Sequence, residues 1–599
     1  MTSEWQPKGD KIKTVFSEKL DPNNPLPEYP RPNLIRESWL NLNGLWDYTI
    51  TDISNTEIPN SFPDKILVPF PLESSLSGVM KNFTEKQILW YYKKFQIPKD
   101  WIIIGENNKK KNKIIINFGA IDWSSEIYIN NKLVGNHIGG YTPFNFDITD
   151  YLTYEEETII IKVIDPTEKG YQPIGKQNSR PGFIFYTPVS GIWQTVWIEP
   201  VNSENYIKSI NYFSDIDNGN VTFIFNCCDN DKIDIEIYDN DNKKLILKSN
   251  GECNKNLLIN IPNCNLWSPS NPYLYNLKVN LIKNDKILDS IQSYFALRKI
   301  SYSKDDKGIN RIELNNKKIF SLGLLDQGWW PDGLYTAPTD EALQYDIIKT
   351  KQLNFNTIRK HVKVESARWY YHCDKIGLLV WQDMVSGDLG PFYLFTWKPK
   401  EIGGGSDRPR TEISKENYKK EFEDIINFTK NFPCVIMYVP FNEGWGQFNT
   451  EEITQFTKDK LINCDNKLIN SASGGNHRNC GDILDLHNYP EPKLFLKDEN
   501  KINVLGEYGG IGLEVDNHIW NVKCWGYIKK KNSEEVTLDY VKYGNMLIDL
   551  INEGFSAAIY TQTTDCEVEI NGLMTYDRKV LKVDEEKIKE INKKIIDMI

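Results

Sequence analysis

The sequence predicts a multidomain chain. It reads as an N-terminal jelly-roll-like β-sandwich over residues 1–200, an immunoglobulin-like β-sandwich over 201–300 and a C-terminal (β/α)8 TIM barrel over 301–599. Three observations predict it. First, 599 residues exceed what one hydrophobic core organises and imply about three or more domains. Second, short alternating strands separated by turn residues fill the N-terminal half. Third, after about Ile300 the rhythm changes to apolar strand followed by amphipathic helix.

In the first block, from about Pro30 to Pro200, Ile114–Phe118 is an apolar run. Glu126–Asn130 alternates, with Ile127 and Ile129 on one face. Asn130–Asn131 reads as a two-residue hairpin turn before Lys132–Val134, and Gly139–Gly140 as another turn. In the second block the strands are Val221–Phe225, Ile233–Tyr238, Lys244–Leu247 and Leu274–Leu281, separated by turns rich in Asn and Asp. A block of this kind and about this length suits an immunoglobulin-like sandwich.

The third block offers eight buried-strand candidates: Ile319–Leu324, Phe355–Arg359, Leu378–Trp381, Val435–Val439, Lys467–Ser471, Ile483–Leu486, Ile502–Leu505 and Ala557–Gln562. Tyr418, Phe422, Ile425, Ile426 and Thr429 repeat at helical spacing, as do Ile588, Ile591, Ile595 and Met598. Lys375–Gly377 reads as a helix end, with Gly377 supplying the left-handed cap. The alternation points to a barrel, with an open doubly wound sheet as the competing architecture. No GxGxxG or GxxxxGK[ST] follows a strand, which removes support for a nucleotide site. The runs Lys109–Lys113 and Gly403–Gly405 read as a solvated hairpin tip and a flexible loop tip.

Composition narrows the class. Lys+Arg 71 against Asp+Glu 82 leaves a net charge of −11, which argues against nucleic acid or an anionic membrane as main partner. A 40% hydrophobic and 12% aromatic content excludes disorder over most of the chain. No apolar run reaches the ~18 residues of a membrane span. MTSEWQPKGDKIKTVF contains no secretory core, so a cytoplasmic location is expected. The ten Cys lack metal-ligand spacing and read as reduced, mostly buried thiols. No metal or cofactor is expected.

Barrel chemistry sits at the C-terminal ends of strands. Those ends read Arg359 and His361 after the second strand, Asp383 after the third, and Asn442 and Glu443 after the fourth. His487, Asn488 and Tyr489 follow the sixth, Glu507 ends the seventh, and Tyr560 lies in the eighth. Two carboxylates with Arg, His, Asn and aromatics around them suit glycoside hydrolysis. One carboxyl must be protonated to serve the leaving oxygen, and the other ionised to attack or to activate water. Arg359 would favour ionisation of its neighbour, whereas partial burial would raise the pKa of the other. Taken singly, a Glu after a strand is most often a helix N-terminal charge, and His361, His487 and Asp383 have ordinary structural roles available. The same holds for Trp329, Trp330, Trp445 and Trp525, as packing residues or sugar platforms. A barrel metallohydrolase would want His-x-His after the first strand, where LGLLDQG stands, and SASGG does not supply the GxSxG of a serine nucleophile.

These residues resemble glycoside hydrolase family 2, the β-galactosidases, β-glucuronidases and β-mannosidases. RESWLNLNGLWDYTI, LWYYKKFQIP, IYINNKLVGNHIGGYTPFNFDIT and SGIWQTVWIEPV resemble its sugar-binding sandwich. SYFALRKI at Ser293–Ile300 resembles the segment closing its immunoglobulin-like domain. The resemblance implies that Glu443 in FNEGWG is the acid/base, with Asn442 on the sugar 2-hydroxyl, and that Glu507 in LGEYGG is the nucleophile. IRKH matches the family's Arg-x-x-His at Arg359 and His361, although the usual Tyr-Pro that follows is Val362–Lys363. Asn488–Tyr489 is similar to the segment whose Tyr contacts the nucleophile. LGLLDQG departs from the pattern after the first strand, and VWQDM resembles β-mannosidases, while FNEGW does not. NGLMTYDRK resembles the glucuronidase region carrying Asn-x-Lys, but Glu569 and Asn571 stand there, and an acid would repel a uronate.

The expected function is therefore a cofactor-independent, retaining exo-β-glycosidase acting on neutral hexosides, most like a β-galactosidase. Its partner is a carbohydrate substrate, and homo-oligomerisation is left open. β-Mannosidase, β-glucuronidase and α-L-arabinopyranosidase activities are the alternatives in the same fold. A catalytically inactive carbohydrate-binding protein is the alternative of another class.

Overall fold

The computed structural model describes residues 5–102, 111–387, 402–403 and 407–599. The tips assigned to Lys109–Lys110 and Gly404–Gly405 lie outside these residues. Among the described residues no helix is long and apolar enough to cross a membrane.

The first block folds into two large antiparallel sheets and a two-stranded one that pairs Gly191–Ile192 with Ile121–Asp122. One large sheet has four strands, with Val196–Asn202 and Asn112–Phe118 at its centre. The other has six, with Gln87–Phe95 and Glu157–Ile164 at its centre. Neighbouring strands are mostly non-consecutive in the chain, as in a jelly roll. Their inner faces share one core that includes Trp46, Leu89, Tyr91, Ile116, Phe118, Ile127 and Ile161. The Asn130–Asn131 hairpin forms as expected. Both residues have positive φ, 50° and 63°, which a two-residue turn with the strands' own twist requires.

The second block is a seven-stranded sandwich of a three-stranded and a four-stranded sheet. Val221, Phe223 and Phe225 alternate inward against Ile233, Ile235, Ile237, Leu277, Val279 and Leu281. A three-stranded sheet over Ile300–Lys304, Asn310–Leu314 and Lys317–Lys318 then leads into the barrel.

Eight parallel strands form the third block: β1 (Ser321–Asp326), β2 (Thr357–Lys360), β3 (Leu379–Asp383), β4 (Val435–Val439), β5 (Leu468–Ile469), β6 (Ile483–Asn488), β7 (Ile502–Gly509) and β8 (Phe555–Thr561). Their order is β5-β4-β3-β2-β1-β8-β7-β6. Ser473 bridges to both Asn442 and Asp485 at the seam between β5 and β6, so the sheet is nearly closed. All eight expected strands are present.

Among the described residues six α-helices surround these strands: α1 (Asp340–Gln352), α2 (Ala367–Ile376), α3 (Glu412–Thr429), α4 (Thr450–Lys460), α5 (Ser533–Glu553) and α6 (Glu585–Ile596). No α-helix spans the described β5–β6 and β6–β7 connections. Gly377 ends α2 at φ 87°, and its N–H donates to the Cys373 carbonyl. The apolar stripe of α3 is buried as its spacing predicts. Met598 lies beyond the end of α6 and is exposed. All ten cysteines are free; five are buried, four half-buried, and Cys228 is exposed.

Two contacts align the blocks. At the bottom of the barrel the buried Arg298 guanidinium donates to the carbonyls of Pro433 (2.8 Å), Val435 (2.8 Å) and Asn466 (3.2 Å). At the mouth, the 165–190 loop of the first sandwich folds over the strand ends. The Gly175 N–H donates to the Ser386 carbonyl at 3.0 Å, and a Cβ at residue 175 would stand 2.7 Å from the Val362 carbonyl. Arg298→Met removes three hydrogen bonds, two of them to the buried carbonyls of Pro433 and Val435. It should lower barrel stability by about 3 kcal/mol or more, read as a drop in the unfolding midpoint in urea. An unchanged midpoint would contradict the clamp.

Candidate active site

Side chains alternate between the two faces of each strand, so parity decides which residues reach the mouth. In β2, Arg359 points to the barrel axis. Lys360 points to the helix layer, where it pairs with Asp326 (2.7 Å) and Glu365 (2.8 Å). The Arg359 guanidinium is fully buried and joins three other strands. Its Nε donates to both Asp383 oxygens at 3.1 Å, and its Nη2 to Asp383 Oδ2 (2.9 Å) and Asn442 Oδ1 (2.8 Å). Its Nη1 donates to Glu507 Oε1 and to the Gly506 carbonyl, both at 3.2 Å. Because Asn442 accepts through Oδ1, its amide nitrogen remains a donor for a ligand.

Asp383 also meets His361, whose Nδ1 lies 2.8 Å from Oδ2. Burial, with help from Lys176 and Arg359, holds the His361 imidazole well below its ordinary pKa, so it is neutral. Glu443 follows β4 with φ 52°, a left-handed conformation rare outside glycine. Its N–H donates to the Ser473 carbonyl at 2.7 Å, which fixes it. Its Oε1 lies 2.9 Å from His487 Nδ1. Glu507, on β7, accepts from the Tyr489 hydroxyl through Oε2 at 2.6 Å. Burial and the Glu507 charge keep the Tyr489 phenol far above its ordinary pKa, so it stays a donor. Its ring stacks on Tyr527 at 3.7 Å.

Glu443, His487 and Glu507 each offer an atom within 4.8 Å of the others. These donors are engaged with one another and lie against the Arg359 cation. Two glycines make the close packing feasible. A Cβ at residue 506 would stand 2.2 Å from the Asp485 carboxylate, and one at residue 474 would stand 2.2 Å from His487 Nδ1.

The structure thus brings together Arg359, His361, Asp383, Asn442, Glu443, His487, Tyr489 and Glu507. It does not bring in Tyr560 or Asn488. Tyr560 has the outward parity of β8 and packs on Tyr508 and on Tyr540 of α5, whereas its neighbour Thr561 reaches Tyr489 at 2.8 Å. The Asn488 amide is engaged by the Glu491 carbonyl at 2.6 Å. The expected upward shift of the acid carboxyl is also corrected. Burial does raise the Glu443 pKa, but the His487 hydrogen bond and charge outweigh it and leave that pKa below the ordinary value.

Trp329 and Trp330 are core residues, the latter under the Arg578 guanidinium at 3.9 Å. Trp445 and Trp525 are half-buried. They meet Phe185 (5.5 Å) and Phe183 (4.3 Å) of the sandwich loop.

The sequence reading did not identify Lys176, Tyr186, Tyr527, Ser473 or Asp485. Lys176 is buried, and its charge acts on His361, Glu443 and Glu569. Glu569 accepts from the Tyr186 hydroxyl and from Asn571 Nδ2 (3.0 Å), and burial raises its pKa.

Comparison with known proteins agrees with this architecture. Residues 68–196 match the sugar-binding domain of glycosyl hydrolases family 2, and residues 220–298 match a second domain model of that family. A β-galactosidase of Thermoanaerobacter pseudethanolicus is 26% identical over 68% of this chain and 52% of its own length. A β-glucuronidase of Streptococcus agalactiae is 23% identical over 69% of this chain and 68% of its own length. The solved β-glucuronidases of Ruminococcus gnavus (apo form, 16% identity, 99% of that chain) and Dictyoglomus thermophilum (18%, 98%) superpose on 94% of this chain with TM-scores of 0.72. Two domain models of glycosyl hydrolases family 2 thus match the chain, one in each sandwich. The chain spans about half the length of the Thermoanaerobacter relative.

The two tyrosines give a paired prediction. Tyr489→Phe removes a hydrogen bond to a buried carboxylate and should lower kcat/KM by about 10–100-fold. Tyr560→Phe should leave it within about threefold. Steady-state kinetics on a nitrophenyl glycoside read both, and equal losses would overturn the assignment by strand parity.

Proposed function

We propose that this protein is a retaining exo-β-glycosidase of neutral hexosides, most like a β-galactosidase. One observation carries the reading. Carboxylate oxygens of Glu443 and Glu507, from strand ends across the barrel mouth, lie within 4.8 Å of each other. Retaining glycosidases hold their carboxyl groups about 5–5.5 Å apart, whereas inverting ones leave room for water at about 6.5–9.5 Å. Glu507, held by Arg359 and Tyr489, attacks the anomeric carbon. The glycosidic oxygen leaves with a proton from Glu443, and a glycosyl ester forms on Glu507. Glu443 then takes a proton from water, which attacks the same carbon and frees Glu507. The donor nitrogen of Asn442 faces the site at a point suited to a ring hydroxyl. The aromatic residues of the sandwich loop narrow the mouth, which favours attack at a chain end.

Glu569 speaks against a uronate in its corner of the site. A second reading, β-glucuronidase, is favoured by Lys176. Its ammonium makes no hydrogen bond or ion pair among the described residues and could receive a carboxylate. A nitrophenyl glycoside panel separates the two. The first reading predicts that a neutral hexoside is preferred over the glucuronide by at least about 10-fold, and that Lys176→Met changes the two rates alike. A preferred glucuronide whose turnover collapses in Lys176→Met would replace it with the second.

The roles of the carboxylates have their own test. Glu443→Ala should spare the glycosylation step of activated aryl glycosides, and azide should then give the β-glycosyl azide. Glu507→Ala should lose all substrates alike, and azide should give the α-azide. Reversed anomers would exchange the roles.

A further inference from the structure

His487 stands between the two carboxylates, and its hydrogen bonds determine what its Nδ1 can do. Asp485 accepts three donors: the Gly506 N–H at 2.6 Å on Oδ1, and Asn470 Nδ2 (2.7 Å) and the Ser473 hydroxyl (2.6 Å) on Oδ2. Ser473 has a single proton, and this contact uses it. The Ser473 oxygen, 2.8 Å from His487 Nε2, is therefore an acceptor, and Nε2 carries hydrogen. The 2.9 Å contact from Nδ1 to Glu443 Oε1 then has two descriptions, an imidazolium donating to a carboxylate or a protonated Glu443 donating to a neutral imidazole. Each contains one proton.

We propose that Glu443 and His487 share the proton delivered to the leaving group, with Ser473 and Asp485 fixing the His487 tautomer. The inference rests on Glu443 being the acid/base. During glycosylation the Nδ1–H bond breaks as Oε1–H forms. The Glu443 carboxyl turns about its soft terminal torsion, and the proton passes to the departing oxygen. The leaving group becomes an alcohol, His487 is left neutral and Glu443 ionised. A bare Nδ1 lone pair then faces the Glu443 carboxylate, which sharpens Glu443 as a base toward water. Deprotonation of water returns the proton to the pair. His487 is a positioning residue, acting through Glu443.

The groups facing His487 agree with this. Glu443, Glu507 and Asp485 together raise its pKa above the ordinary imidazole value despite burial. Arg359 Nη1 lies 3.4 Å from Nε2 and, with hydrogen on both nitrogens, makes no hydrogen bond there; Glu507 Oε2 lies 3.5 Å from Nδ1, and His361, His477 and Asp383 also sense the His487 charge. His361 and His477 are held neutral by burial, the latter down at about 4. The last proton on the pair is therefore lost above the ordinary imidazole pKa of about 6.5. The acid-dependent step should fail as pH rises through that point.

Two measurements test the proposal. In the first, kcat/KM is followed against pH for an alkyl glycoside and a dinitrophenyl glycoside. In His487→Gln the alkaline limb for the alkyl glycoside should fall by one unit or more, and at the pH optimum the alkyl glycoside should lose at least about tenfold more kcat/KM than the dinitrophenyl glycoside. A uniform loss across pH and leaving groups would reduce His487 to a structural role and overturn the proposal. In the second, 15N-histidine spectra of the full-length wild-type chain, assigned with His487→Gln, need no turnover. His487 should carry hydrogen on both nitrogens at pH 6 and keep Nε2–H at pH 9. An Nε2 without hydrogen at pH 9 would overturn the relay. Inactivity of the wild type on every glycoside, with the expected spectra, would sink the glycosidase reading and leave the shared proton standing.

Discussion

The site depends on one buried guanidinium. Arg359 sits on the barrel axis with no exposure to water, and burying an unpaired cation there would cost several kcal/mol. It is stable because Asp383, Asn442, Glu507 and the Gly506 carbonyl engage its N–H groups from three other strands. The same contacts orient the site. They hold the Glu507 carboxylate in place, leave the Asn442 amide nitrogen as a donor, and fix Asp383, which in turn holds His361. Removing the guanidinium would leave buried acids facing one another, so fold and chemistry share this residue.

The first sandwich completes what the barrel begins. Its 165–190 loop rests on Ser386 and Val362 and carries Lys176, Phe185 and Tyr186 to the strand ends. Tyr186 binds Glu569, and the Thr187 N–H donates to Glu567 at 2.8 Å. The sandwich and barrel therefore both supply side chains at the strand ends, where Lys176 and Tyr186 of the loop act on Glu569, which Asn571 also engages.

Much of this was legible in the sequence, for identifiable reasons. A barrel strand is buried on both faces, so Val435–Val439 reads as a continuous apolar run and Ile502–Leu505 as one interrupted by Asn503. The polar residues that end them, Glu443 and Glu507, stand out by contrast. The Asn130–Asn131 turn and the Gly377 cap follow from positive φ. The failures are equally physical. Tyr560 differs from Thr561 by one step of a two-residue period, and a continuous apolar strand does not reveal its parity. Lys176 and Tyr186 lie in a loop more than a hundred residues before β1, and only docking brings them to the mouth. Glu443 was expected to be raised by burial. His487 reverses that through a contact between β4 and β6 that the sequence does not disclose.

The central claim is that Glu507 is the nucleophile and Glu443 the acid/base of a double displacement. Incubation with a 2-deoxy-2-fluoro glycosyl fluoride, followed by peptide mass spectrometry, tests it most directly. The fluorine slows both steps, and the reactive leaving group lets the glycosyl ester accumulate. The account predicts one label per chain, on the peptide containing Glu507, with Glu443 unmodified. A label on Glu443, or turnover of the parent glycoside with no labelled peptide, would contradict it.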